Sequence, residues 1–330
     1  MTNLEIVIPF ALPPAEHAKD LLAALQTPAL ARLLAKANLQ KKHTSAAFAH
    51  ALAHECWLAK TSDRSPPLAQ CAMQQLNLNP EKGYWFMLQP ASLHIARDHL
   101  VLTDLRQLDI SEDESRRLFK IAESLCSESG MTLLYGDARN WFLRADHWRE
   151  LQTCTPDAAC GHNIDIWLPK GEGERDWRRL QNELQMSWHT DEVNEERDQR
   201  GAMRINTVWL WGGAAGEAEA VTDAQAGLQA LARAALRFPA PSAPENTVKG
   251  QTLLLDQLIA PALAGDWSQW LENYAALDSI WFSPLLENLI NSGVVLNLVL
   301  TDSSRLMQWK ISRYSMRKFW RQPSLKRLSS

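Results

Sequence analysis

Apolar and polar positions fall into blocks along this chain, and the length and period of each block predict its elements. Leu4 to Phe10, with Ile6-Val7-Ile8 at its centre, is a mostly apolar segment of strand length, ended by Pro13-Pro14. Alanine and leucine then recur at helical spacing over Ala15 to Ala37 and Thr44 to Lys60, which predicts two helices, and Ser62 to Pro67 reads as a loop. From Tyr84 the texture turns to strands: Tyr84 to Leu88, Ser92 to Ala96 and His99 to Thr103, the last two joined at Arg97-Asp98. Ser111 with Glu114 three positions on is a capping box, opening a helix that Gly130 ends. A hairpin follows, Met131 to Tyr135 and Asn140 to Arg144, turned at Gly136-Asp137, and Ile164 to Leu168 has strand length. From Trp177 a long polar helix is expected up to a glycine stop, then a strand carrying Trp209-Leu210-Trp211-Gly212-Gly213.

Gly213 to Ala224 and Phe238 to Lys249 are the best loop candidates, the second because Pro239, Pro241 and Pro244 exclude regular structure. Gln251 to Leu255 reads as a buried strand. Helices are expected around Trp267 to Ala276 and Ser283 to Asn291, then a strand pair, Val294 to Leu300 and Leu306 to Ile311, turned at Asp302-Ser303-Ser304. Strands at both ends of the chain with helices between them predict an α/β, mixed α+β fold: one sheet core with an α+β module inserted. The corresponding division is 1–83, a strand and helical segment; 84–212, the central module; and 213–330, an α/β segment with a basic tail.

Composition sharpens this picture in four places. Hydrophobic residues are 46% of 330, enough for more than one core. No run approaches the roughly 18 apolar residues of a membrane span, and Met1 to Phe10 has no basic leader, so a cytoplasmic protein without membrane contact is expected. Five cysteines without paired spacing suit reduced thiols, and Cys154 and Cys160 are wrongly spaced for a zinc knuckle. Charge is uneven: no acidic residue follows Asp302, whereas Arg305, Lys310, Arg313, Arg317, Lys318, Arg321, Lys326 and Arg327 all do. The body up to Asp302 therefore carries about −12 within a net charge of −4.

Three groups invite a chemical reading. On one continuous helix His43, His50 and His54 would share a face, with Glu55 or Cys56 nearby, so they are the candidate metal ligands; the plain alternative is a polar stripe. Gly212 to Gly216 could cradle a phosphate, but Glu217, Glu219 and Asp223 follow it and repel one, which favours a glycine turn for close backbone packing. In the tail, Trp309, Arg313, Arg317, Lys318, Trp320 and Arg321 interleave aromatic and basic groups, the composition of a nucleic-acid or acidic-partner surface. The alternative is a terminal amphipathic helix packed on the body. Fourteen tryptophans should be mostly core, their indole nitrogens seeking partners.

The order His189, Val193-Asn194, Arg197, Gly201, Asn206 and Trp-Leu-Trp-Gly-Gly resembles the signature of the archaeal-type, cofactor-independent phosphoglycerate mutases. More closely, the chain resembles the bacterial Rpf-type regulatory proteins, through Leu30 to Leu34, Pro90 to Leu102, Trp141 to Leu143, Asp256 to Asp278 with Gly265-Asp266-Trp267, and Pro284 to Leu286. Glu192 stands where that signature has proline. The resemblance implies a relation to part of the phosphoglycerate mutase and alkaline phosphatase-like fold. A mutase would need a hydroxyl nucleophile beside two metals held by aspartates and later histidines. Here Pro9 to Pro14 offers neither carboxylate nor hydroxyl, and no histidine follows His189. A non-catalytic regulatory protein, needing no cofactor and binding a protein partner or a small anionic ligand, is therefore expected. The alternatives are a metal-dependent phosphoglycerate mutase or phosphatase, and a nucleic-acid-associated protein acting through its tail. His189, Asn194, Arg197 and Asn206 are the candidate ligand residues, with Arg197 as anion clamp. Structurally, the two asparagines could instead fasten the helix to the next strand, and Arg197 could pair with Glu196 or Asp198.

Overall fold

The computed structural model describes residues 2–46, 48–62, 64–215, 223–239, 251–291 and 294–329. In chain order its elements open with β1 (Thr2–Ile8), α1 (Ala18–Ala24), α2 (Pro28–Lys36), β2 (Asn38–Thr44), α3 (Ala53–Ala59) and α4 (Ala69–Gln75). There follow β3 (Tyr84–Ala91), β4 (Leu93–Ala96), β5 (His99–Leu102), α5 (Glu112–Glu128), β6 (Thr132–Asp137), β7 (Asn140–Arg144) and α6 (Pro156–Ala159). Then come α7 (Glu174–His189), α8 (Glu192–Gln199), β8 (Thr207–Ala215), α9 (Asp223–Ala235), β9 (Thr252–Leu254), α10 (Ile259–Ala264), α11 (Trp267–Leu277), α12 (Ser283–Asn291), β10 (Val294–Thr301) and β11 (Arg305–Ser312). They form a mixed α/β fold in two compact units, one made of Met1–Ala47, Leu52–Leu58 and Arg237–Ser330, the other of Phe48–Ala51 and Ala59–Leu236. Among the described residues no helix is long and apolar enough to cross a membrane.

The first unit is built on a sheet of order β2-β11-β10-β1-β9. Strand β1 lies parallel to both β10 and β9, so Ile6, Val7 and Ile8 are fully buried, which is why its sequence is an apolar run without alternation. The alanine-rich stretch after it is not one helix. Pro28 can start a helix but not continue one, so the chain breaks at Leu25 to Thr27, and α2 begins afresh with its Ala29 and Leu30 amides donating to the Asp278 carboxylate at 3.1 and 2.8 Å. Asp278 opens a π-helical turn, Asp278–Phe282, between α11 and α12.

The second predicted helix, Thr44 to Lys60, is a correction, because only Ala53–Ala59 of it is helical. The stretch before it, which the pattern left unassigned, is the edge strand β2 (Asn38–Thr44), paired antiparallel with β11. Every residue of β2 is exposed, and lysines at an edge keep it from pairing further. The tail is also not an amphipathic helix: after β11 it runs through the short turns Ser315–Arg317 and Lys326–Leu328.

The second unit holds a sheet of order β6-β7-β3-β8 and the separate hairpin β4-β5, whose turn has Arg97 at φ +60°. The Ser111–Glu114 capping box forms with both reciprocal bonds and starts α5. Ile164–Ile166 is a 3-10 turn, not a strand. The long polar helix is two helices, because the Asp191 side chain accepts from the Val193 amide and caps α8 separately from α7. Residues of α4 and α10 form helices that the apolar pattern left unassigned. Gly216, Glu217, Glu219 and most of the expected loop Phe238 to Lys249 lie outside the described residues.

Strand β8 shows the period of two in its packing. Val208 and Leu210 join the core formed with α5 and α7 residues such as Leu118, Leu180 and Leu184. Trp209 and Trp211 point the other way, donating to the Cys154 carbonyl and the Gln89 side chain at 2.9 and 2.7 Å. Other buried indoles behave differently: Trp148, Trp177 and Trp188 have no hydrogen-bond partner among the described residues. They are held edge-on to other rings, Trp148 to Trp177 at 5.9 Å and Trp188 to Trp141 at 6.0 Å.

Candidate functional site

The signature between α7 and β8 folds into a dense set of internal hydrogen bonds. Asn194 is fully buried on α8; its amide donates to the Trp188 and Ile205 carbonyls at 2.8 and 2.9 Å and its oxygen accepts from the Ile205 amide at 2.8 Å. One side chain thus ties the end of α7 to the approach to β8. Asn206 does the same for the hairpin start, its side chain bonding both the amide and the carbonyl of Leu93 at 2.8 Å.

Arg197 is equally buried, but its partner is neither Glu196 nor Asp198. It donates to the Glu114 carboxylate at 2.9 Å and to the Met203 carbonyl at 2.5 Å, and Arg200 joins the same carboxylate. Burial works against a charge on Glu114; hydrogen bonds from the Ser111 backbone and from Arg197, Ser111 and Arg200 outweigh it and hold the carboxyl at about 2. Glu196 and Glu192 meet Arg117 instead. His189, at the end of α7, is exposed, and only its carbonyl is engaged here, accepting from Arg204 at 2.6 Å. Three of the four candidate ligand residues therefore meet their hydrogen-bonding needs inside the fold.

The histidines do not share one helix. His43 is exposed on β2, His50 lies in the bend before α3, and His54 is buried on α3. Among the described residues no group of three or more His, Cys, Asp and Glu is placed to hold a metal. None of the cysteines pairs in a disulfide, and burial pushes the Cys71, Cys126 and Cys160 thiols up to about 11, 12 and 12, so thiolates are disfavoured.

The turn after β1 is apolar and closed. Phe10, Ala11 and Leu12 are buried, the Phe10 carbonyl accepts from the Trp270 indole at 2.8 Å, and the Ala11 carbonyl from the Tyr274 hydroxyl at 3.1 Å. Trp270 and Tyr274, both on α11, are fully buried.

In the tail, half of the basic residues are spent within the fold. Lys318, Arg321 and Arg327 donate to carbonyls of Leu34, Ala35, Lys36 and Ala37 at the end of α2, where the helix dipole favours cations. Arg305 is paired with Asp302 at 2.5 Å, and Trp309 is a fully buried part of β11. Phe319 and Trp320 remain 85% and 66% exposed, packed edge to face at 5.3 Å, and Arg313 and Arg317 lie over the Tyr314 ring at 4.9 and 5.5 Å.

Beside the glycines after Trp211 lies a groove that sequence reasoning did not find. Gly212, at φ +71°, makes a bulge where the β3-β8 register shifts. Next to it a Cβ at Gly213 would come within 2.6 Å of the Phe86 ring and 2.8 Å of the Tyr84 ring. The aromatic wall over Gly213 belongs to a groove of about 430 Å³, completed by His50, Arg64, Arg149, Glu150, Gln152 and the hydroxyl residues Ser62, Ser65 and Thr153. Arg149 sits 5.7 Å from the Tyr84 ring centre. The signal that could have led here is Trp-Gly-Gly itself, since adjacent glycines inside a strand mark a bulge or close approach.

No family model matches the chain, and no curated protein matches it. Among solved structures it is similar to the PH0037 protein from Pyrococcus horikoshii, with a TM-score of 0.51 and 12% identity over 94% of this chain and 87% of that one. A cofactor-independent phosphoglycerate mutase from Thermoplasma acidophilum aligns with a TM-score of 0.45 and 14% identity, over 100% of this chain and 95% of that one. The likeness to the PH0037 protein is one of fold.

Proposed function

We propose that this chain is a non-catalytic, cytoplasmic regulatory protein of the Rpf type, derived from a phosphoglycerate mutase-like fold and working by binding a small anionic ligand or a protein partner. The observation that carries the reading is the turn after β1. A phosphoryl-transfer enzyme of that fold needs metal-holding carboxylates and a nucleophile there; this chain has Phe10, Ala11 and Leu12, with the Phe10 and Ala11 carbonyls accepting from Trp270 and Tyr274. The signature order from His189 to Gly213 supports the family part of the reading. Its polar side chains serve the fold, so they account for the shared motif without a reaction.

The test is direct. Tag-free protein grown in metal-replete medium is analysed for bound metal and assayed for interconversion of 2- and 3-phosphoglycerate with magnesium, manganese, zinc and cobalt. No turnover above a heat-treated control is expected. Stoichiometric metal together with turnover would overturn the reading in favour of a mutase or phosphatase.

A second reading, nucleic-acid association through the tail, is favoured by one observation: Phe319 and Trp320 are exposed, as is Tyr314, which carries Arg313 and Arg317 over its ring, and bases can stack on such side chains. A salt-dependent gel shift with single-stranded DNA, lost in F319A/W320A, is its expected result. No shift at low salt removes it.

A further inference from the structure

We infer that the groove over Gly213 is a binding site for a phosphomonoester carried on a sugar, the chemistry shared by sugar phosphates and nucleoside monophosphates. The inference names a site for the anionic ligand of the reading above, and it rests on that reading in taking the ligand as bound and not turned over.

Three observations converge on it. The first is charge. Arg64 and Arg149 both line the groove, and neither has an acidic partner within 4.0 Å among the described residues, in a protein where Arg106, Arg117, Arg144, Arg197 and Arg305 all do. Of the acids nearby, Asp146 accepts from the Tyr84 amide at 2.5 Å and pairs with Arg144 at 3.0 Å, and Glu150 lines the groove itself. Two guanidiniums without a carboxylate in contact among the described residues, with His50 from a separate chain segment, make a place for a compact dianion.

The second is the opposite charge. Glu150 lines the same groove, with Gln152, Ser62, Ser65 and Thr153. A carboxylate accepts hydrogen bonds and repels a second anion, so beside the phosphate it suits hydroxyl groups and disfavours another carboxylate. A phosphorylated polyol satisfies both halves of the groove; a phosphorylated carboxylic acid, such as a phosphoglycerate, satisfies only the first.

The third is shape. The volume, about 430 Å³, lies in the range of small-molecule sites. Gly213 lets the Tyr84 and Phe86 rings that line the groove close in on β8, since a Cβ there would meet them at 2.8 and 2.6 Å. The half-buried Tyr84 ring gives a flat apolar face against which a sugar or base can lie.

Isothermal titration calorimetry of the full chain with ribose 5-phosphate, AMP, 3-phosphoglycerate and inorganic phosphate tests the site. Saturable binding of ribose 5-phosphate or AMP is expected, at least tenfold tighter than 3-phosphoglycerate. R64A and R149A should each weaken it tenfold or more, whereas R178A, on the exposed face of α7, should leave it unchanged. Ribose 5-phosphate and AMP binding alike would assign recognition to the sugar phosphate; AMP alone would assign the Tyr84 face to a base. E150Q separates the two halves of the groove, because it should narrow the gap between ribose 5-phosphate and 3-phosphoglycerate. Thermal melts of each variant confirm folding. Absence of binding at millimolar ligand, or binding that R64A and R149A leave unchanged, would overturn the site. Neither result bears on turnover, which the phosphoglycerate assay reads separately.

Discussion

The Arg197 guanidinium and the Glu114 carboxylate meet at 2.9 Å with both side chains almost wholly out of water. Glu114 is the third residue of the α5 capping box and Arg197 lies on α8, so one ion pair holds the start of one helix to the body of another. Breaking such a pair from one side strands a charge in the interior. R197M should cost about 3 kcal/mol in urea unfolding, and E114Q/R197M should recover part of that loss, since no buried charge is left alone. A double variant no better than R197M would show that packing, not charge, carries the cost.

The same carboxyl sets an acid limit. Its value falls from an ordinary 4.5 to about 2 in the folded protein, so the unfolded chain takes up the proton first. The stabilisation, on the order of 3 kcal/mol, is complete above the unfolded value and is lost as pH falls from 4.5 toward 2. Urea titrations at stepped pH should show wild type and E114Q converging as pH drops through that window. A constant difference down to pH 2.5 would contradict the assignment.

Asn194 donates to two carbonyls and accepts from one amide, a pattern that a carboxylate cannot reproduce. N194D should lose about 3 kcal/mol at pH 7, at least as much as N194A, because its oxygen would face the Trp188 and Ile205 carbonyls. Part of the loss in N194D alone should return as the pH is lowered and the carboxyl is protonated. Equal stability of N194D and wild type would mean that the side chain is not held as described.

The two glycines of β8 should differ in cause and size. G212A asks an alanine to hold φ +71° with its nearest neighbour at 3.4 Å, a cost of about 1 kcal/mol. G213A drives a methyl into the Phe86 and Tyr84 rings at 2.6 and 2.8 Å, a cost of about 1–3 kcal/mol. Thermal melting should place G213A lower than G212A.

Tail residues should separate into structural and exposed sets. R327A removes donors to the Leu34 and Ala37 carbonyls and should cost about 1 kcal/mol. W320A, at 66% exposure, should stay within about 0.5 kcal/mol of wild type. Comparable losses in both would indicate that Trp320 is covered in solution.

By itself the sequence determined the elements whose information is local. The Ser111–Glu114 box, the Met131–Arg144 hairpin, the apolar β1 and the β10–β11 pair are each specified by a period, a cap or a turn within a few residues. The α/β class follows from their order. Only the tertiary structure decided what depends on distant partners. Asn38–Thr44 is a strand because β11 offers it an edge, although its flanks favour a helix. Arg197 found Glu114 in place of its neighbours Glu196 and Asp198, and the tail's cations found the end of α2, because burial rewards whichever opposite charge or open carbonyl the fold brings near. The groove is assembled from His50, Ser62, Arg64 and Ser65, Tyr84 and Phe86, Arg149 to Thr153 and Gly213. No periodicity links those segments, so their shared chemistry exists only once the chain has folded.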